Sequence, residues 1–424
     1  MKKIFDLINC YIVYLIIIYL NVATTLKILF KIDNFWFSVG IIILGLISLV
    51  FYLLYKILYI RKINYKDLII VLLTICGFIS YNYAYNKVVA LFGIVNRYEG
   101  LWVIISYYSF FLLSTIINKE KYHSIMRLII VFGIYQIILG TIQTLRINNI
   151  FGYYRGNNYS ANYKFASGTL SNPNFYSTYI LACLCYVYGL LLNNKKIKYW
   201  LLTILFGYGL VIGNTMSCIL AFLFILVFTL TKRINRVNIK KIFLIFVIFG
   251  ALIFVFNKVI NNRLSYNINK SINGVYMIIK NKEYDKLGNS RIYVWKETLK
   301  HTNKYFLHGI GIDNFSFINR GNYICTTVDK KYECFDKAHN EYLQKFITEG
   351  IFSLVLYLFL IITTIIKTFR QKDRDEYIYA IFLCYIAYLI QAFFNISVIQ
   401  VAPIFYIILG LLNSGIFNSK FVKD

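Results

Sequence analysis

The sequence predicts an all-α polytopic membrane protein, with about twelve transmembrane helices and one long helical extracytoplasmic segment. Two observations carry that prediction. Of 424 residues, 59% are hydrophobic and only 15% charged, and apolar runs of about 20 residues, the length that crosses a hydrocarbon core, recur along the chain. A water-soluble fold could not bury so much apolar surface. The second observation is where the positive charge falls. A formal net charge of +27 would suggest nucleic acid in a soluble domain. Here Lys and Arg collect in short loops between apolar runs, as they do in loops facing the cytoplasm. The expected surroundings are a lipid bilayer and no nucleic acid.

In chain order, Lys2 and Lys3 precede an apolar run from Ile8 to Leu29. That run lacks a small-residue cleavage site and reads as an uncleaved first span. Further spans are expected at about 35–58, 67–85, 101–117, 125–146, 173–192, 199–213, 215–231, 242–259, 350–368, 377–394 and 403–417. With the N-terminus inside, the cytoplasmic segments hold 23 basic residues and the short external ones 7. The remaining 15 lie from Lys258 to Lys345, in a segment long enough to be exempt from the charge rule. Both termini then lie in the cytoplasm, and the protein belongs in the cytoplasmic membrane. Single reporter cysteines at positions 158 and 285 are expected to label from outside, and those at 196 and 372 are not. External labelling at 196 would overturn the span assignment.

The chain divides into N-terminal spans (1–85), central spans with outer motifs (86–259), an extracytoplasmic catalytic segment (260–349) and C-terminal spans (350–424). Every unusual polar stretch falls on the outer side: NRYEG from Asn96 to Gly100, the stretch from Arg155 to Phe175, and the long segment. No Walker-type or Rossmann sequence occurs, so nucleotide use has no visible site. No internal repeat of the transporter kind is present.

In NRYEG, Arg97 and Glu99 sit close to hydrocarbon. They read either as a local ion pair at a helix end or as groups on a substrate path. In SNPNF, Asn172 suits a helix cap and Pro173 the first turn, leaving Asn174 for a sugar contact. Ser290 is a plausible N-cap for an amphipathic helix carrying Ile292, Trp295 and Leu299. This places Arg291 in a first turn, where backbone donors and a guanidinium suit a phosphate. The polar segment from Asp336 holds His339 and runs directly into an apolar helix. A titratable group is thus held at a membrane boundary by rigid structure. Cys325 and Cys334 share the outer segment and are expected to pair, stiffening the approach to His339. The other cysteines lie in or beside spans as small apolar residues. The D-x-D from Asp373 to Asp375 reads as a solvated cytoplasmic cluster.

NRYEGL, GTLSNPNFYS, SRIYVWKETL, HGIGIDNF, AHNEYLQKFITEG and FNISVIQVAPIFYIILGLL occur in this order over roughly residues 90 to 412. This combination resembles the O-antigen ligase and O-antigen polymerase family. The resemblance implies a GT-C-like, metal-independent membrane glycosyltransferase without a cofactor. Such an enzyme moves a glycan from undecaprenyl diphosphate to the hydroxyl of a glycan, lipid or protein acceptor outside the cytoplasmic membrane. It places the catalytic histidine on His339 and the catalytic arginine on Arg291. Arg97, Glu99, Arg155, Asn174 and Asn340 are the substrate-binding candidates. Family members commonly carry a Ser-Arg pair in a span facing the same cavity, whereas this chain reads Ser217–Cys218; Arg97 or Arg155 is the substitute.

The chemistry agrees with the resemblance. A lipid diphosphate is already a good leaving group. The protein must stabilise its growing charge, as a guanidinium does, and deprotonate or orient a hydroxyl, as a neutral imidazole does. Two other readings stay open. One is a lipid-linked glycan flippase or transporter, which should carry charges within its spans and broken helices. The other is an inactive scaffold of the same fold, invited by Cys218.

Overall fold

The computed structural model describes residues 1–145, 165–232, 236–259, 290–319, 321, 323–328, 331–371 and 375–414, with scattered positions between 262 and 272. Arg155, Asp373 and the reporter positions 158, 285 and 372 lie outside the described residues. The membrane part comprises α1 (Lys2–Phe30), α2 (Asn34–Tyr55), α3 (Tyr65–Asn82), the short α4 (Lys87–Phe92), α5 (Leu101–Thr115) and α6 (Tyr122–Leu145). It continues through α7 (Pro173–Asn193), α8 (Ile197–Gly213), α9 (Met216–Lys232) and α10 (Arg236–Val259). After the polar segment come α14 (Ile351–Gln371), α15 (Glu376–Ala392) and α16 (Ala402–Asn413). Between them lie α11 (Arg291–Lys300), α12 (Thr302–Tyr305), β1 (Ile324–Val328), β2 (Lys331–Phe335) and α13 (Glu341–Glu349).

Among the described residues, seven helices are long and apolar enough to cross a membrane, and five shorter apolar helices accompany them. Together they make this an all-α polytopic membrane protein. The short helices follow from their surroundings. α16 has only 12 residues, and the irregular chain before it, from Phe393 to Val401, buries Asn395, Ile399 and Gln400. Non-helical backbone is tolerated in a membrane protein where protein surrounds it rather than lipid. The pair meeting at Asn214 is two helices: Asn214 takes a left-handed conformation (φ 50) that ends α8, as helix C-caps often do.

α7 is the central helix, with 94% of its membrane-length window buried, against 17% for α10. Its sequence starts it as expected. The Asn172 side chain accepts from the Asn174 amide at 2.8 Å, and Pro173 fills the first turn. α7 closes on α15 where Gly189 faces Ala380. A Cβ at Gly189 would lie 2.7 Å from the Ala380 Cα, so a small residue is what lets these backbones approach. The peripheral α1, α2, α3, α10 and α14 show many exposed Leu, Ile, Val and Phe side chains, the surface that lipid covers.

The polar segment departs from the all-helical expectation. β1 and β2 form an antiparallel hairpin in which Cys325 pairs with Cys334 in register, and the two are joined as a disulfide. β-Branched Thr326, Thr327 and Val328 and aromatic Tyr332 favour extended chain, and the crosslink fixes the register. Val294, Tyr305, Ile310, Phe315, Ile324, Phe335 and Ile347 form a second small core beneath it. Ser290 also departs from expectation. It holds the cap position of α11 with φ 64 and makes no capping bond, because a capping side chain needs extended backbone to reach the first amides. Asp375 is more than a solvated charge: it caps α15 through the Tyr377 amide at 2.8 Å and pairs with Lys119 at 2.8 Å.

Candidate active site

The site is built on the turn Asp336–Asn340, between β2 and α13. The Trp295 indole, on α11, donates to the Ala338 carbonyl at 2.9 Å, and the Ala338 amide donates to Gln344 Oε1 at 2.7 Å. Asn340 Oδ1 accepts from the amides of Tyr342 and Leu343, both at 3.0 Å, so Asn340 starts α13. Trp295 also rests edge-on against Phe393, with centroids 5.5 Å apart. Held from both sides, His339 adopts φ 52, an uncommon conformation for a residue with a Cβ that persists only where neighbours fix it.

Two ion pairs cross from NRYEG to this turn. The Arg97 guanidinium grips Asp336 with Nε–Oδ2 at 2.6 Å and a second bond at 3.2 Å. Lys337 is buried and donates to Glu99, with Asp313 Oδ1 at 3.3 Å on its other side. Glu99 further accepts from Tyr107 at 3.0 Å and Ser397 at 2.7 Å. Arg97 and Glu99 therefore do not pair with each other, as a local reading of NRYEG would have it. Each holds one residue of the His339 turn. Asp336 and Lys337 escaped sequence reasoning, although D-K before A-H-N answers R-Y-E with the opposite sign order.

Asp313 belongs to GIGIDNF, which the glycines shape. Gly309 has φ 72, and a Cβ there would lie 2.2 Å from the Thr348 carbonyl carbon. The close approach lets the Ile310 amide donate to the Ile347 carbonyl at 2.9 Å and Gly311 to Thr348 at 3.1 Å. Asn314, fully buried, ties the turn to Asn86 through the Asn86 amide at 2.8 Å and carbonyl at 3.1 Å. Behind the network lies a polar cavity of about 60 Å³ lined by Glu99, Asp313, Lys337, Glu341, Lys345 and Glu349, room for a few waters.

The charges decide the state of His339. Burial, then the Arg291 guanidinium, push its pKa down to about 4, against the opposing pull of Asp336. The imidazole is neutral at physiological pH. Its Nδ1 is sealed from solvent and has no hydrogen-bond partner, and Phe335 stands edge-on to the ring at 6.0 Å. Burial lifts Asp313 to about 6, even with Lys337 beside it. Burial weakens the charge on Lys337, but Asp313 and Glu99 outweigh it and raise its pKa. Arg97 outweighs burial at Asp336 and lowers its pKa.

Arg291 stands in the first turn of α11, one turn before Trp295, and its charge reaches both His339 and Cys218. Cys218 is buried, its sulfur 3.8 Å from the Thr178 hydroxyl, and Thr178 reaches Gln391 at 3.2 Å. Asn174 stands nearby, its Oδ1 accepting from Thr215 at 3.2 Å. Arg291, Arg97 and His339 thus come together at one end of the bundle, with Asn174 beside the Cys218 corner. Among the described residues, no three His, Cys, Asp or Glu side chains converge as a metal site.

No curated protein matches the chain. Residues 201–358 match the family model described as O-Antigen ligase. The match begins in α8, takes in Cys218, Arg291 and His339 and ends in α14, and this stretch supports an O-antigen ligase/polymerase family for the chain.

Proposed function

We propose that this protein transfers a glycan from undecaprenyl diphosphate to an acceptor hydroxyl at the outer face of the cytoplasmic membrane, as a surface-polysaccharide polymerase or O-antigen ligase. One observation carries the reading: a neutral imidazole stands among guanidinium groups at the end of a membrane bundle. His339 takes the acceptor proton as the acceptor oxygen bonds to the anomeric carbon. The bond from that carbon to the diphosphate oxygen breaks, and its electron pair stays on the diphosphate. Arg291 neutralises that charge through its planar donors. Asn174 remains the sugar contact, while Glu99 and Asn340 act by positioning the His339 turn. Arg97 serves chiefly as the clamp on Asp336.

The test uses purified protein in nanodiscs with a lipid-linked repeat unit. Growth of a polymer or transfer to an added acceptor is expected, and chelator should leave the rate unchanged. Movement of the lipid-linked unit across the bilayer without a new glycosidic bond would favour the transporter. An Arg291→Lys variant should lose about 10²–10³-fold in transfer, since one ammonium cannot replace a bidentate fork. A lysine variant working at the full rate would remove Arg291 from the mechanism. A second reading, an inactive relative, rests on Cys218 standing buried where related enzymes carry arginine. Inertness with every lipid-linked donor would favour it.

A further inference from the structure

We propose that the end of the bundle opposite His339 holds an anion site, formed by Lys66 and Lys367, for a phosphate group carried by a headgroup or free in solution. Lys66, at the start of α3, is 5% exposed, and its ammonium donates to the Asn413 carbonyl at the end of α16, at 2.5 Å. The Asn413 amide in turn donates to Thr364 on α14 at 2.8 Å. The C-terminal end of α14 is therefore drawn to the same point, and it brings the Lys367 ammonium beside that of Lys66.

Two ammonium groups have only donors between them, and like charges so close repel strongly away from water. The nearest acid does not relieve them. Asp67 is engaged by Lys56 at 2.6 Å, Tyr52 at 2.5 Å and the Asn64 amide at 2.8 Å. Among the described residues, no carboxylate forms an ion pair with Lys66 or Lys367. Three further atoms at this end lack partners: the Thr368 and Ser414 hydroxyls and Asn413 Oδ1. Thr368 is 1% exposed, Asn413 2% and Ser414 6%, and Thr368 lies one turn beyond Thr364 on the face toward α16.

A bridging phosphate resolves all of these. Its oxygens accept from both ammoniums and both hydroxyls, and a hydroxyl of hydrogen phosphate or of a glycerol headgroup donates to Asn413 Oδ1. The competing state has one lysine neutral, accepting from the other. The two states differ for arginine, which does not lose its proton.

Full-length protein is placed in phosphatidylcholine nanodiscs alone, with phosphatidylglycerol added, or with millimolar inorganic phosphate, and thermal unfolding is followed. The midpoint should rise on the order of a few degrees with the anion. A rise with phosphatidylglycerol alone identifies a lipid headgroup, and a rise with phosphate in phosphatidylcholine identifies the free ion. Lys367→Gln should remove the rise, and Lys367→Arg should keep it. Equal midpoints in all three arms would overturn the proposal. So would a Lys367→Arg protein destabilised in every arm, because a neutral lysine would then be what holds the pair.

Discussion

Replacing His339 with alanine is expected to lower glycan transfer by about 10²–10⁴-fold, the usual cost of losing a positioned acid–base group. Binding of the lipid-linked donor should stay nearly intact, because the role proposed for the imidazole is on the acceptor. The other three histidines are built-in controls, and their structural placement explains why. His308 stacks on Tyr83 at 4.1 Å and bonds the neighbouring Gly309 carbonyl. His301 ends α11, and His123 is held between Tyr186 and Arg127. Alanine at any of them should leave most transfer. The pH profile adds a check that a merely structural histidine would not move. With its pKa pushed down to about 4, His339 stays neutral well below the usual histidine range. Transfer should hold as pH falls through 6.5 and decline only near 4. The same depression carries stability that is present above the unfolded-state pKa and lost as pH falls through the folded one. Full turnover by a well-folded His339→Ala protein would end this mechanism. An acid limb centred near the ordinary histidine pKa would mean that neither burial nor the surrounding cations act on His339.

Lys337→Met should destabilise the protein by about 3–5 kcal/mol, the cost of removing one partner from a buried ion pair. Glu99 and Asp313 would be left facing each other with no cation between them. Asp313, already lifted to about 6, would then take up a proton, so part of the loss should return on mild acidification. Adding Glu99→Gln to Lys337→Met removes the remaining stranded charge and should restore part of the stability at neutral pH. Transfer should fall as well, because Lys337 lies two residues before His339 and fixes the turn from behind. Thermal unfolding of the single and double variants in detergent is the measurement. A Lys337→Met protein as stable as wild type would show that the network holds nothing together.

The parts of this protein that depend on run length and local chemistry are legible in the chain of residues alone. Apolar runs became helices, because a lipid-facing backbone must satisfy its hydrogen bonds internally. Asn172 and Pro173 started α7, because capping acts over only two or three residues. The disulfide was legible because two cysteines shared one polar segment. Tertiary structure alone decided the rest. Arg97 meets Asp336 and Glu99 meets Lys337 across 239 and 238 positions of chain, and no periodicity encodes which loops stack at one end of a bundle. The hairpin was hidden in a segment whose flanks are helical, and its strands gain their value only from each other. Asn340 looked free for substrate until the fold turned its oxygen onto the start of α13. Lys66 and Lys367 look like ordinary basic residues at helix ends, and only the packing of α3, α14 and α16 sets them face to face. Local signals act through bonds a few residues apart, whereas these contacts exist only once separate helices have been packed.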